Sequence, residues 1–245
     1  MILACSVLVP GLVHAGPPFL TDDPEPVELG HYEFYTFSMG TRMNGGTSGF
    51  LPAFELNYGA IPSGQFHIIA PVAFDSPAGG PARFGSGDTE LGFKYRFIEE
   101  DKGGSQPQVG LYPLLELPTG DETRGLGAGH LRVFLPLWVQ KSFGDWTTYG
   151  GGGYWINQDE RLGDKDYLFF GWLLQRKITD KLTLGGEVFH QTASVIGGKD
   201  STGLNLGGIY DLDAHNHLLF SAGRGLQNAD DANQYSWYLG WQITW

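Results

Sequence analysis

Seven charged side chains stand where a charge needs an explanation. Glu55, Glu90, Lys94, Arg96, Glu116, Arg132 and Glu187 lie within short stretches that alternate apolar and polar residues. Leu91, Phe93, Tyr95 and Phe97 oppose Glu90, Lys94 and Arg96. Phe50, Pro52, Phe54, Leu56 and Tyr58 share a face opposite Glu55 and Asn57. If each apolar face points to lipid, the charges point inward together. Charge withdrawn from water is tolerated when it is paired, so four acids and three bases read as an internal salt-bridge network bracing a wall. Around an open path the same belt reads as a polar constriction that selects permeants. Tyr112, Trp138 and Trp172, if they face inward, would line that path with amphipathic rings.

Other chemistry is thinly represented. Asp211, Asp213, His215 and His217 have the right donors for a metal, but they sit in a predicted tight turn where Asp and Asn are ordinary turn residues. No metal or cofactor is expected. GLGAG at 125–129 resembles a phosphate loop only in composition, because no strand–helix context surrounds it, and it reads as a flexible outer loop. His190 with Thr192 is the nearest approach to a hydrolase pair. The position two residues after His190 is Thr and not Ser, and no third group can be placed, so no enzymatic activity is expected. Cys5 is the only cysteine. It falls in a segment expected to be removed, which rules out disulfides and thiolate sites in the mature chain.

The elements that must position these residues are strands. A period-two alternation marks a strand with one apolar face. Twelve candidates run at roughly 31–39, 48–58, 65–74, 88–98, 108–117, 131–142, 146–156, 166–177, 181–192, 203–211, 216–224 and 234–245. Tight turns follow the second, sixth, eighth and tenth. Longer Gly-, Asp- or Ser-bearing loops follow the odd strands, GTRMNGGT among them. Short turns on one side and long loops on the other form the pattern of an outer-membrane barrel, whose even strand number puts both termini on the periplasmic side. The composition agrees: 38 Gly with 7 Trp, 11 Tyr and 16 Phe suit an all-β chain. The formal charge of -12 argues against nucleic acid as a partner. The expected fold is a transmembrane antiparallel up-and-down β-barrel of about twelve strands, over residues 31–245.

Two segments flank that reading. Residues 1–15 read as a secretory signal peptide cut after Ala15, although no Lys or Arg precedes the apolar run Ile2 to Val13. Residues 16–30 carry Pro17, Pro18, Pro24 and Pro26, which excludes an interior strand. They are either an extended periplasmic tail or a plug tucked into the barrel. The eighth strand, DYLFFGWLLQRKI, is apolar on both faces, so part of the lumen must be apolar. The glycine run 150–153 marks either a sharply curved wall or a recess for a ligand. The last strand places Tyr235, Trp237, Leu239, Trp241, Ile243 and Trp245 on one face. It resembles the terminal signal read by the outer-membrane insertion machinery, with Trp245 as a rim anchor.

GPPFLTDDPEPVELGHYEFY, LELPTGDETRGLGAG, DWTTYGGGGYW and FFGWLLQRKITDKLTLGGEVFHQT resemble segments of an outer-membrane family named for transport in the MetA pathway of phenol degradation. The resemblance spans nearly the whole mature chain. It implies a Gram-negative outer-membrane barrel associated with uptake of aromatic or hydrocarbon compounds, and it supplies no catalytic residues. The expected function is passive passage of a small hydrophobic or aromatic solute, with membrane lipid, the insertion machinery and the permeant as partners. The alternatives are a structural or adhesive protein with a blocked lumen and, third, a lipid-modifying enzyme.

Overall fold

The computed structural model describes residues 17–101, 103–157 and 163–245. The expected signal peptide and part of the loop NQDERLGDKD lie outside the described residues. Twelve antiparallel strands close into a barrel, and two of them are interrupted. They are β1 (Tyr32–Met43), β2 (Gly46–Ile61), β3 (Gly64–Pro77), β4 (Arg83–Ser86 and Thr89–Ile98), β5 (Gln108–Leu111 and Leu114–Leu117) and β6 (Arg132–Phe143). The circuit continues with β7 (Trp146–Ile156), β8 (Tyr167–Thr179), β9 (Leu182–Gln191), β10 (Ser201–Asp211), β11 (Asn216–Gln227) and β12 (Tyr235–Thr244). Each strand pairs with its chain neighbours. β12 closes onto β1, with Phe34 opposite Ile243 and Tyr35 opposite Gln242. Closure pairs every strand of the circuit on both sides except the short stretch Arg83–Ser86, which pairs with β3 alone, and paired edges are the condition for crossing hydrocarbon with strands. No helix among the described residues is long and apolar enough to cross a membrane.

The alternation resolves into two faces. Phe54, Leu56, Phe66, Ile68, Leu135, Leu137, Phe170, Leu239 and Trp241 are exposed on the outside. Ala53, Glu55, Asn57, Gln65, His67, Gln140, Gln175 and Gln242 are buried inside. An apolar band outside and amides with charges inside is what hydrocarbon on one side and a polar lumen on the other demand. At the short-turn rim Tyr58, Tyr32 and Trp245 stack, with ring centroids 4.4 and 5.5 Å apart.

Four expectations need correction. The loop expected after β1 is a two-residue turn, Asn44–Gly45, because both strands run on beyond the apolar alternation. Phe50 does not share the outer face with Phe54. The register shifts at Leu51–Pro52, where Pro52 lacks a ladder N–H, and the shift turns Phe50 inward against the cluster of Tyr35, Phe37 and Tyr238. Trp172 is 63 % exposed and points outward, because Leu173 and Gly171 take the inner positions of β8. The 125–129 loop is not free: Leu126 is buried, and Asp88, in the break of β4, accepts Gly120 N at 2.9 Å and Ala128 N at 2.6 Å. Alternation is blind to all four, since a bulge, a terminal extension, a strand apolar on both faces or a loop-to-strand bond leaves no readable period.

The glycine run on β7 makes room for aromatics on both sides. A methyl group on Gly151 or Gly153 would strike the inner rings of Trp138 or Phe134. One on Gly150 or Gly152 would strike Trp172 or Phe170 outside. Close packing of neighbouring strands accounts for the run, and no recess opens there.

Candidate functional site

Residues 17–30 lie against the inner faces of the strands. Thr21, Asp23, Pro24 and Val27 are buried. A proline-rich strip cannot join a ladder, and its polar groups are met instead by side chains of the wall. Ser221 on β11 donates to Pro18 O at 2.6 Å. Glu187 on β9 accepts Leu20 N at 2.9 Å, Thr21 N at 2.7 Å, Thr21 Oγ1 at 2.6 Å and Asn205 Nδ2 at 2.6 Å. Lys94 on β4 donates to Asp22 at 2.9 Å and lies 3.6 Å from Asp23. Gln108 and Gln140 donate to Glu25 at 3.3 and 3.2 Å. Val27 N donates to Gln65 at 2.7 Å, and Gly30 N to Gly59 O at 2.7 Å. Gly171 faces Thr21 so closely that a Cβ there would collide with it.

The expected charge belt therefore pairs differently from the way its composition suggests. Within the seven, Arg132 and Glu116 bond directly across β5 and β6, with the Arg132 guanidinium 5.5 Å above the Trp155 ring. Lys94 and Glu187 are engaged by the segment. Arg96 donates to Gln108 at 3.0 Å, with Glu25 at 3.9 Å. Glu55 and Glu90 share His67: its Nε2 meets Glu90 at 2.8 Å, and its Nδ1 meets Asn57 at 2.9 Å and Glu55 at 3.3 Å. The bracing runs within the wall at Arg132–Glu116 and around His67, and between the segment and the wall at Lys94 and Glu187. Burial raises the Asp23 carboxyl well above the usual carboxylate range, against the opposing pull of Lys94.

Two chambers flank the segment. The one at the short-turn end has a volume of about 390 Å³ and is lined by Tyr32, Tyr35, Tyr112 and Trp245 among others, with the carboxylates Asp22, Glu25, Glu28, Glu33, Glu55 and Glu90. The one at the long-loop end has a volume of about 760 Å³ and is walled by Phe37, Met39, Phe189, Val195 and Tyr238, with amides and hydroxyls such as Asn205, Ser221 and Asn233. Pro17, Phe19, Leu20, Glu55 and Ile69 line both, so the tip of the segment is the partition between them.

Of the residues singled out from sequence, Glu55, Glu90, Lys94 and Tyr112 line a chamber. Arg96, Glu116, Arg132, Glu187 and Trp138 line neither; Trp138 is buried with Tyr112 and Phe134. Sequence reasoning missed His67, which alternation could have found, because Phe66 and Ile68 face outward on either side of it. It also missed Phe19 and Leu20, for which no periodic signal exists. His190 bonds Thr202 at 2.9 Å, and Thr192 accepts Leu168 N at 2.9 Å, so the two do not meet. Asp213 is held below the usual carboxylate range, first by the Asn216 side chain and then by the backbone of its own turn. No group of three or more His, Cys, Asp or Glu among the described residues is placed to hold a metal ion.

Comparison with known proteins gives matches to a family and to folds. The family described as "Putative MetA-pathway of phenol degradation" matches residues 35–241. Among solved structures, the COG4313 outer membrane channel from Pseudomonas putida F1 superposes with a TM-score of 0.74 at 16 % identity, covering 91 % of this chain and 98 % of that one. The NanC porin superposes with a TM-score of 0.61 at 9 % identity, covering 86 % and 98 %. The KdgM porin, solved with a disordered oligogalacturonate, gives 0.55 at 10 % identity, covering 87 % and 98 %. No curated protein matches the sequence.

Proposed function

We propose that this chain, which belongs to the family of the MetA-pathway of phenol degradation, is a passive outer-membrane channel for small hydrophobic or aromatic solutes and not an enzyme. The observation that carries the reading is the pair of chambers meeting at the tip of residues 17–30. Both are lined by aromatic rings together with polar groups, mostly carboxylates in the short-turn chamber and amides and hydroxyls in the other, a mixture that admits an amphipathic small molecule. The apolar outer band and the aromatic stack at the rim support the membrane location. The fold shared with channels and porins agrees with it.

A second reading, a structural barrel with a blocked lumen, is favoured by the buried bonds that hold Pro18 to Val27 across the centre. Osmotic swelling of proteoliposomes separates the two. The channel reading expects small solutes to enter faster than into protein-free vesicles, and faster still when residues 17–30 are deleted. Absence of flux in both proteins sinks it.

A further inference from the structure

The two chambers share one charged wall residue. Glu55 sits on β2 at their junction, its side chain only 5 % exposed. Its Oε1 accepts Asn57 Nδ2 at 2.8 Å and faces His67 at 3.3 Å. Its Oε2 takes no hydrogen bond among the described residues. Aromatic rings surround it. Tyr35 lies directly across on β1, and Phe37 and Tyr238, which line the long-loop chamber with Glu55, stack with centroids 5.1 Å apart.

The charge around it is one-sided. His67 lies between Glu55 and Glu90, and even with both ring nitrogens protonated it balances one of those two carboxylates. Among the described residues, the other charges lining the long-loop chamber, Lys199 and Asp231, neutralise each other at 2.7 Å. Asp22, Glu28, Glu55 and Glu90 line the short-turn chamber with a single lysine among the described residues, Lys94, already shared by Asp22 and Asp23, while Glu25 has Arg96 at 3.9 Å. A carboxylate oxygen with no donor, at low exposure among ring faces, is stabilised by an arriving cation. Ring faces attract the same cation. An anion of equal size meets repulsion from the carboxylates and from the ring faces alike.

We infer that the junction at Glu55 is a binding site for small organic cations with an aromatic or apolar body, and that the lumen admits such cations and discriminates against aromatic anions of the same size. The inference rests on reading the lumen as a path, and it narrows the permeant class by charge. Phe37, Tyr238 and the segment's Phe19 hold the body of the ligand, and Glu55 Oε2 holds its charge.

The test uses the full mature chain in planar bilayers with two probes of permanent charge, phenyltrimethylammonium and benzenesulfonate, neither of which crosses lipid readily. The expected result is interruption of the ionic current at about tenfold lower concentration of the cation than of the anion, with that preference lost in Glu55→Gln. Equal potency, or a stronger effect of the sulfonate, overturns the inference, and so does a preference that survives in Glu55→Gln. The wild-type comparison stands even if the variant does not fold. Should no current flow at all, the channel reading fails by itself. Equilibrium dialysis of the purified protein then still decides the site: saturable uptake of the cation, absent for the sulfonate and lost in Glu55→Gln, upholds it, and no uptake overturns it.

Discussion

The two ends of the described chain are held by opposite physics. The closing strand β12 joins the barrel through a ladder to β1 and β11, and it turns Leu239, Trp241 and Ile243 to the outside. Its hold is backbone pairing plus apolar surface given to lipid, and neither depends on any single side chain. Residues 17–30 make no ladder. Their hold is a short series of directional bonds to Ser221, Glu187, Lys94, Gln140 and Gln65. Several of those bonds are charge-assisted, and each can be removed by one substitution. A barrel built this way has a permanent wall and a partition whose position rests on a handful of polar groups. On the proposed channel reading, the partition would govern solute passage and the wall would govern survival in the membrane.

Breaking the contrast begins with Lys94. Lys94→Met leaves Asp22 and the fully buried Asp23 without their cation, a loss of about 3–5 kcal/mol for a buried pair. The segment is expected to leave the lumen, read as new protease cleavage within residues 17–30 while the barrel still resists heat in detergent. Cleavage unchanged from wild type would show that the segment is held by something other than charge. Glu187→Ala comes next. It strips the acceptor from Leu20 N and Thr21 N, at about 1–3 kcal/mol for buried donors left unmet. The expected readout is a higher and noisier single-channel current with an unchanged barrel melting temperature. Trp241→Ala on the other end has the smallest effect. It is expected to shift barrel stability by about 1 kcal/mol and to leave conductance unaltered. A change in conductance there would mean that the wall, and not the partition, sets the path.

The same contrast explains what the sequence could reveal. Twelve strands, and the faces of most of them, were legible because lipid outside and a polar lumen inside impose period two, from Phe54, Glu55 and Leu56 to Tyr238, Leu239 and Gly240. That periodicity is local, so one chain suffices to read it. It also brought Glu55, Glu90 and Lys94 into the candidate site. The pairing of those charges was not legible. Thr21 meets Glu187 across 166 positions and Asp22 meets Lys94 across 72, and a proline-rich strip without alternation announces neither its location nor its partners. Arg132 with Glu116 paired as the composition suggests because they face each other on adjacent strands. Trp172 misled for a related reason: β8 is apolar on both faces, so periodicity could not say which face was which.

The measurement closest to the central claim is the single-channel conductance of the intact chain beside that of a chain lacking residues 17–30, in the same bilayer and salt. With the segment as the partition of a continuous lumen, the intact protein conducts weakly and the shortened one several-fold more. Equal conductance in the two would contradict the account of the partition, and silence in both would contradict the account of the lumen as a path.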